Sequence, residues 1–530
     1  MATASQASKV RARPRAAVIG GGWAGFGAAW NLSKARWDVT LIDASPSPGG
    51  VAGRGAGNKG IELGVKGFWR HYANMSQLLE RDLGLPVESV YGDYSETAFY
   101  SPRGKEVVAP VFGSRPRLPA PLGPLVWTSD RFTDLPISSR LSAFPLTQAL
   151  LDFDLDEKTY AAYDSVSFEK LCKIAKVSDK LYETFLRPIL LALLFVPPKD
   201  LSAAAALSVL QNYVLAHQND FDVRWPKKAP SEIFARWRAK LEESGASVMG
   251  STRAKRVVHD GRRVTGVEIE GAGEGGDGGR IIEADAVILA AGAAALPKIV
   301  QASGLQACPG LSRVSELSCS AVTAVWLENA GEPILLEHPS NVFDGGANLA
   351  GTLYDIGSLR GEDPGRVFEV DTYNASDLID LSEEDLVSAA LEVLALAKPG
   401  ERAFRSMRVS EGGAQIARVK NAAFRWIPGS HGATPSMVPE GAPRGLYVAG
   451  DLVKNGPADF GAHQGARGLS QEKSLVTGLA AAVEADRELG SGSNLVEPLS
   501  VEPDEAHVAL MKDGLRRARE LGIAGKLLIS

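Results

Sequence analysis

The sequence predicts an α/β fold in which a Rossmann-type domain, assembled from three separated blocks of sequence, is interleaved with a mixed α+β domain. Two segments indicate this fold. A glycine-rich turn, Gly20 to Gly25, lies between a predicted strand and a predicted helix, and the triplet Ala449-Gly450-Asp451 follows another predicted strand about 400 residues later. The first can hold a dinucleotide pyrophosphate and the second the ribityl chain of a flavin. Together they predict one bound FAD.

The glycine-rich turn has the sequence context that a pyrophosphate site needs. A short apolar run before it reads as a buried strand, and the residues after it read as a helix. Gly20 permits the tight turn, Gly22 lets the backbone approach a phosphate, and Gly25 lets helix and strand pack closely. The helix start at Trp23 and Ala24 offers free N–H groups and the positive end of the helix dipole.

An acidic residue ends the next predicted strand. Asp43, followed by Ala44, can accept hydrogen bonds from an adenosine ribose and would repel a phosphate on that ribose. The pair Gly49-Gly50 can bring the backbone close to the diphosphate again, with Val51 next to it. The alternative is an ordinary doubly wound sheet with a glycine turn and a solvated Asp43.

Composition argues against several classes of function. The chain has 530 residues, of which 45% are hydrophobic, and its net charge of -6 gives no support for nucleic acid as a partner. The three cysteines lie far apart or outside C-x-x-C spacing, so neither a disulfide framework nor a metal site is predicted. We expect a reducing compartment.

The predicted FAD-binding domain and the predicted substrate domain alternate along the chain. The segments between the Rossmann-type blocks are richer in proline, aromatic and bulky apolar residues. The predicted division is 15–84, 231–300 and 440–485 for the FAD-binding domain, 85–230 and 301–439 for the substrate domain, and 486–530 for a C-terminal linker and helix.

Later segments add residues to the predicted cofactor site. In the second block, Val257 lies on a predicted strand, and an apolar strand ends at Ala291-Gly292, where the backbone can approach the nucleotide. In the third block, Asp451 can bind ribityl hydroxyls, with a plain helix N-cap as the alternative. Gly461-Ala462 open a predicted helix, whose N-terminus would face the flavin pyrimidine edge and stabilise negative charge on the reduced ring.

Membrane and targeting signals are weak in this sequence. The first fifteen residues carry four basic and no acidic side chains, a composition that resembles the remnant of an organelle transit peptide. No apolar run of about 18 residues occurs, so no membrane-spanning helix is predicted. The longest apolar stretch, residues 189–196, is predicted to be a buried core helix, with a membrane-dipping element as the alternative.

Several motifs resemble those of the FAD-dependent carotenoid desaturases and isomerases, the phytoene and zeta-carotene desaturase-like proteins within the flavin amine oxidase superfamily. The resemblance covers most of the chain. It rests on residues 18–25, 41–43 with 49–50, 62–68, 285–292, and 449–451 with 461–466. Residues 202–225 and 469–473 resemble cyanobacterial and plastid relatives most.

That resemblance implies a role in carotenoid biosynthesis with a non-covalent FAD, a long hydrophobic tunnel and peripheral attachment to a membrane from which a polyene or other isoprenoid enters. It implies a plastid location for a eukaryotic chain, in the chloroplast stroma or at a membrane surface, and otherwise the cytoplasmic face of a membrane. Gly64 is expected at the cofactor on the same grounds.

Two positions depart from the family pattern. Val51 follows the paired glycines, where related enzymes often carry a basic residue, and the first basic residue is Arg54. Lys66 stands where many desaturases have histidine. Lys66 would lie near the flavin, and a solvated loop lysine is the alternative.

The candidate catalytic residues are Lys66, Tyr72 and His463, with Trp69 and His71 also placed near the ring. Desaturation moves a hydride from an allylic carbon to flavin N5 and a proton from the neighbouring carbon. A conjugated substrate delocalises the cationic charge, so a strong base is not obligatory. His463, at a predicted helix start, either carries a proton or only hydrogen-bonds backbone.

Three functions stay open on sequence alone: a carotenoid desaturase or isomerase, an oxidase of an amine or porphyrinogen, and a flavin-containing carotenoid-binding protein without turnover. The apolar segment from Phe185 to Val196 favours a lipid substrate. A quinone is expected as electron acceptor rather than NADP, because only one dinucleotide fingerprint is present.

Overall fold

A computed structural model describes most of the chain. The described residues are 13–50, 55–56, 61–62, 64–128, 135–270, 279–345, 349–397, 409–454, 470–490, 495–500, 502–522 and 528–529.

The strands of the described residues, in chain order, are β1 (Arg15–Ile19), β2 (Asp38–Ile42), β3 (Gly55–Ala56), β4 (Ile61–Glu62), β5 (Phe68–Trp69), β6 (Tyr91–Ser95), β7 (Thr97–Ser101), β8 (Gly104–Ala109), β9 (Val223–Pro226), β10 (Ser247–Met249), β11 (Ala254–His259), β12 (Val264–Ile269), β13 (Arg280–Glu283), β14 (Ala286–Leu289), β15 (Cys319–Asn329), β16 (Ser340–Asp344), β17 (Ala350–Asp355), β18 (Val367–Tyr373), β19 (Val409–Phe424) and β20 (Leu446–Val448).

The α-helices are α1 (Trp23–Lys34), α2 (Ala73–Gln77), α3 (Val87–Val90), α4 (Leu122–Trp127), α5 (Ile137–Leu141), α6 (Leu146–Asp152), α7 (Glu157–Asp164), α8 (Phe168–Ile174), α9 (Asp179–Leu181), α10 (Arg187–Leu194), α11 (Ala203–Leu210), α12 (Pro230–Glu243), α13 (Leu296–Ala302), α14 (Ile356–Arg360), α15 (Glu383–Ala397), α16 (Gln471–Leu489) and α17 (Ala506–Glu520). Single π-helical turns continue α2, α9 and α11.

A five-stranded parallel sheet carries the predicted strand–turn–helix unit. Its strand order is β10-β2-β1-β14-β20, and every pairing is parallel. Strands β1, β2, β14 and β20 are largely apolar and buried, as parallel strands between helices are, whereas the edge strand β10 is partly exposed. Parallel strands end at the same edge of a sheet, so the segments after β1, β2, β14 and β20 lie side by side.

A seven-stranded mixed sheet forms the second layer, in the order β19-β15-β18-β17-β16-β7-β8. Only its β16–β7 pairing is parallel among the pairings described. One face of β18 packs Phe368 and Val370 into an apolar cluster with Leu386 and Val393 of α15. The other face carries the side chains of Glu369, Asp371 and Tyr373, because side chains alternate along a strand.

Helix α10 confirms the prediction of a buried core helix over the apolar stretch. Ile189, Leu190, Leu191 and Leu194 are all buried in it, and the chain leaves the helix through the left-handed Phe195. In the part of the chain that the structure describes, no helix combines the length and apolar content needed to cross a bilayer.

The predicted helix of the third block begins later than expected. The sequence placed its start at Gly461-Ala462, but α16 begins at Gln471, after Ser470 in an extended conformation. The reason is local: Ser470 accepts the Lys473 N–H through its Oγ at 2.9 Å, which is an N-cap. The division into an FAD-binding and a substrate domain stays a prediction.

Candidate functional site

The glycine-rich turn is packed so tightly that it excludes side chains. Gly20 has φ +105°, and a Cβ there would lie 2.4 Å from the carbonyl O of Ala290. A Cβ on Gly25 would lie 1.7 Å from the carbonyl O of Gly20. Gly50, with φ +59°, faces Gly22, and a Cβ on Gly50 would lie 2.8 Å from the Gly22 Cα. Bare backbone thus lines a cradle at the edge of the parallel sheet.

Helix α1 points its N-terminus into this cradle. Its N-cap, Gly22, has no side chain to satisfy the first N–H groups of the helix, so those donors face the cradle. The Trp23 side chain is buried against Phe234 and Trp237 of α12, which fixes the start of the helix. Uncapped donors and a positive dipole end fit a pyrophosphate, so the residues present suit the predicted dinucleotide.

Asp43 braces the turn from the end of β2. Its Oδ2 accepts the Gly21 N–H at 2.6 Å and its Oδ1 accepts the Ser45 N–H at 2.7 Å. Each carboxylate oxygen retains a further acceptor position, so ribose hydroxyls can still bind. Ala44, next to it, is exposed.

Two further segments meet the same edge. Ala291 is buried, whereas Gly292 is exposed and has no other atom within 4 Å of a built Cβ. Gly450 has φ +130° with the same open space, and its N–H donates to Thr477 Oγ1 at 2.9 Å. Burial raises the pKa of the neighbouring Asp451, and the positive charge of Lys473 opposes that shift.

Val257 lies on β11, in a separate three-stranded antiparallel sheet. Its side chain is buried, and its N–H donates to Ser303 Oγ at 2.8 Å. The side chain and the N–H of Val257 are thus already engaged, which leaves its carbonyl group for contact with a nucleotide.

The start of α16 brings together Glu472 and Lys473, two charged residues to which the sequence alone assigned no role. Glu472 is fully buried and accepts the Asn74 and Met75 N–H groups at 2.7 and 2.9 Å, which ties α16 to the start of α2. Burial raises the pKa of Glu472 to about 7. Lys473 is also buried, with its Nζ 5.4 Å from the centre of the Trp426 ring.

Tyr72 lies in a buried aromatic cluster. Its hydroxyl is 3.4 Å from the Tyr213 hydroxyl, and its ring packs against Phe68 and His71. Burial raises the pKa of Tyr72 and lowers the pKa of His71 to about 4. Both side chains are therefore neutral at physiological pH, and the cluster is an apolar wall with two weakly polar groups.

Lys66 is not a solvated loop lysine. Gly64, with φ +80°, donates its N–H to Glu369 Oε1 at 3.0 Å, and Lys66 Nζ donates to the Gly64 carbonyl. A Cβ on Gly64 would lie 3.2 Å from Asp371 Oδ2 and 3.6 Å from Lys66 Nζ. The loop therefore sits on two buried carboxylates of β18, a pairing that residues about 300 positions apart do not reveal in sequence.

The structure brings Gly20, Gly22, Gly25, Asp43 and Gly50 together at the cradle. The segments of Ala291, Gly292, Gly450 and Asp451 end strands at the same edge. Four predicted site residues lie outside the described residues: Val51, Gly461, Ala462 and His463.

The profile of one family, described as flavin containing amine oxidoreductase, matches residues 23–463. The chain belongs to this family. Membership implies a flavin cofactor, in agreement with the cradle at the edge of the parallel sheet.

The curated relatives of this flavin oxidoreductase are named as enzymes that act on carotenoids. The chain is 29% identical over 276 residues to the carotenoid phi-ring synthase of Chlorobaculum tepidum, a match that covers 50% of this chain and 41% of that protein. It is 29% identical over 212 residues to a probable zeta-carotene desaturase of Synechococcus elongatus, covering 38% and 42%. It is 27% identical over 271 residues to the zeta-carotene desaturase of Synechocystis sp., covering 48% and 53%. The chain thus matches about half the length of these relatives or less.

Solved structures share the fold across most of the molecule. Cyclohexylamine oxidase from Brevibacterium oxydans superimposes with a TM-score of 0.62 at 16% identity, covering 90% of this chain and 100% of that one. A putative protoporphyrinogen oxidase from Exiguobacterium gives 0.61 at 15% identity, covering 90% and 99%. At these identities the likeness shows the fold alone.

Proposed function

We propose that this protein is an FAD-dependent oxidoreductase of carotenoid biosynthesis that desaturates or isomerises a carotenoid-type polyene, with hydride transfer to flavin N5. The observation that carries the substrate class is that all three curated relatives described above bear carotenoid names. Family membership and the glycine cradle support the flavin.

The chain's own residues divide the work of holding FAD without a covalent bond. N–H groups at Gly22, Trp23 and Ala24 would bind the pyrophosphate, Asp43 the ribose, and Asp451 the ribityl chain. When bound, the flavin supplies a two-electron acceptor. The other residues proposed at the cofactor are Gly20, Gly25, Ala44, Gly50, Val51, Gly64, Val257, Ala291, Gly292, Gly450, Gly461 and Ala462.

The side chains proposed near the reacting bond have separate tasks. The aromatic cluster of Tyr72 is buried, so it would exclude water and orient an apolar substrate. Lys66 would place a positive charge beside the carboxylates of β18. His463 stays a candidate proton carrier.

Product analysis tests the proposal. The purified protein, supplied with FAD, lipid and a quinone, is incubated with candidate polyenes, and the extracted pigments are separated by chromatography. A product with longer conjugation supports a desaturase, and a geometric isomer supports an isomerase. Bound pigment that returns unchanged contradicts turnover, and turnover with a nicotinamide as sole redox partner contradicts the quinone.

A second candidate is an amine oxidase. Two buried carboxylates, Glu369 and Asp371, could bind an ammonium group, and the fold matches include cyclohexylamine oxidase and a putrescine oxidase bound to putrescine. Lys66 already places a cation beside Asp371, which disfavours a second one there. Release of hydrogen peroxide with putrescine or cyclohexylamine would favour this alternative.

Exposed apolar side chains on two helices support peripheral contact with a membrane. We call this set the α4–α5 surface: Leu122, Leu125, Val126, Ile137, Leu141 and Phe144, all exposed. Ile137 and Phe144 are exposed by 72% and 73%. The start of helix α17 lies beside α4, because His507 Nε2 is 2.7 Å from the carbonyl O of Ala120, and the same helix carries the exposed basic residue Arg517. Apolar and basic groups together suit an anionic lipid surface.

A further inference from the structure

The polar face of the mixed sheet lies directly beneath the loop of Gly64 and Lys66. Glu369 and Asp371 of β18 are fully buried on this face. Across β17, Thr352 is paired with Asp371 and Tyr354 with Glu369. A polar row inside a core whose opposite face is apolar costs free energy unless its groups are satisfied or used.

The two carboxylates are held differently. Glu369 accepts the Gly64 N–H at 3.0 Å, so it anchors the loop. Asp371 Oδ2 faces the loop and lies 3.3 Å from Thr352 Oγ1, whereas Asp371 Oδ1 is buried and has no hydrogen-bond partner among the described residues. A buried carboxylate oxygen that stays available can accept a proton from a bound molecule.

Every element packed against Asp371 contributes to its electrostatics. The loop provides the positive charge of Lys66, β18 provides Glu369 and Tyr373, and β17 provides Tyr354. Burial raises the pKa of Asp371 to about 6, and Lys66 opposes that shift. The raised pKa brings the carboxyl closer to neutral pH, where a general base works best, and the positive charge of Lys66 favours its ionised form.

We propose that Asp371 is the base that takes a proton from the bound substrate and that Lys66 keeps it ionised. The inference deepens the proposed function and rests on it. Oxidation of an H–C–C–H unit to C=C sends one hydrogen with its bonding pair to the oxidised flavin. The other hydrogen leaves as a proton to Asp371 Oδ1, and the electrons of that C–H bond form the new π bond.

Two variants of the FAD-loaded protein, one of them a control, test the role of Asp371. Asp371→Asn keeps the shape but cannot take a proton, so the rate of anaerobic flavin reduction by polyene should fall roughly 100-fold or more. Glu106→Gln is the matched control, because this buried carboxyl lies on β8 at the far edge of the same sheet and pairs with Arg103, so the variant should change that rate little. Thermal unfolding and flavin content check that each variant is folded and loaded.

A second readout needs no turnover. Infrared difference spectroscopy should show a protonated carboxyl band that is absent from Asp371→Asn and that titrates near pH 6 in the wild type. Lys66→Met should move the titration to higher pH, because a lost positive charge raises a carboxyl pKa.

The outcomes separate the two proposals. A wild-type flavin that no polyene reduces, together with pigments that are recovered unchanged, contradicts the proposed function itself. If a polyene reduces the flavin of the wild type and of Asp371→Asn at the same rate, Asp371 is not the base, although the proposed function stands. A band whose titration is unmoved in Lys66→Met overturns the role of Lys66.

Discussion

At the scale of single residues, the cradle requires glycine at several positions, because a Cβ atom there would overlap neighbouring backbone atoms. Gly25 is the strictest position, because a Cβ there would lie 1.7 Å from the Gly20 carbonyl O and force helix α1 away from β1. Gly25→Ala should lower the free energy of unfolding by at least about 1–3 kcal/mol and abolish FAD retention. Gly514→Ala on α17 is the control, since nothing lies within 4 Å of its Cβ. Equal FAD content in the two variants would contradict the packing account.

Glu472 makes stability depend on pH. Its pKa of about 7 lies above the ordinary 4.5, so the folded protein binds a proton that the unfolded chain releases between these values. The stability that it contributes is complete below pH 4.5 and is lost as pH rises to about 7, by roughly 3 kcal/mol.

Glu472→Gln should flatten this part of the stability curve, as measured by denaturant unfolding across that pH range. Glu484→Gln, on the same helix but partly exposed, should leave the pH dependence of the unfolding free energy as it is in the wild type. If the pH dependence of the unfolding free energy is unaltered in Glu472→Gln, a group other than Glu472 titrates in this pH range.

At the scale of elements, helix α16 is held in place by polar contacts at its N-terminus. Ser470 caps it, and Glu472 joins it to α2 across about 400 residues of sequence. Ser470→Ala should cost about 1 kcal/mol by loss of the cap, whereas Ser474→Ala, inside the same helix, should be nearly neutral. Thermal unfolding of both variants measures the difference, and equal losses would argue against the cap.

Local patterns predicted β1, α1, β2 and the cradle residues, because each depends on neighbours within a few tens of residues. The acid pair of Glu369 and Asp371 was not predicted. It stands in a strand between apolar residues, and its partner Lys66 lies about 300 positions earlier. The sequence predicts the start of this helix at Gly461-Ala462, because glycine-rich residues there resemble a helix opening. Helix α16 instead begins at Gln471, because Ser470 caps it.

At the scale of the whole molecule, the cradle and the polar face belong to two different sheets, and the loop of Gly64 and Lys66 packs on the polar face. The edge of the parallel sheet supplies backbone donors and Asp43. The mixed sheet supplies buried carboxylates and, near α10, an apolar core. This arrangement suits a flavin placed between a nucleotide site and a substrate site.

The α4–α5 surface should control attachment to membranes. Ile137→Ser combined with Phe144→Ser should weaken co-sedimentation with anionic phospholipid vesicles by about ten-fold or more, because each side chain loses apolar burial in lipid. Ile281→Ser, at a 50% exposed position on β13, is the matched control. Identical sedimentation of both variants would contradict a role of this surface.

The central claim, that a polyene and not an amine is the substrate, is tested most directly by anaerobic mixing of the FAD-loaded protein with each class of compound. The oxidised-flavin absorbance reports the reaction. We expect lipid-delivered polyenes to bleach the flavin and putrescine or cyclohexylamine to leave it unchanged. Bleaching by an amine, with the flavin unaltered by every polyene, would contradict the account.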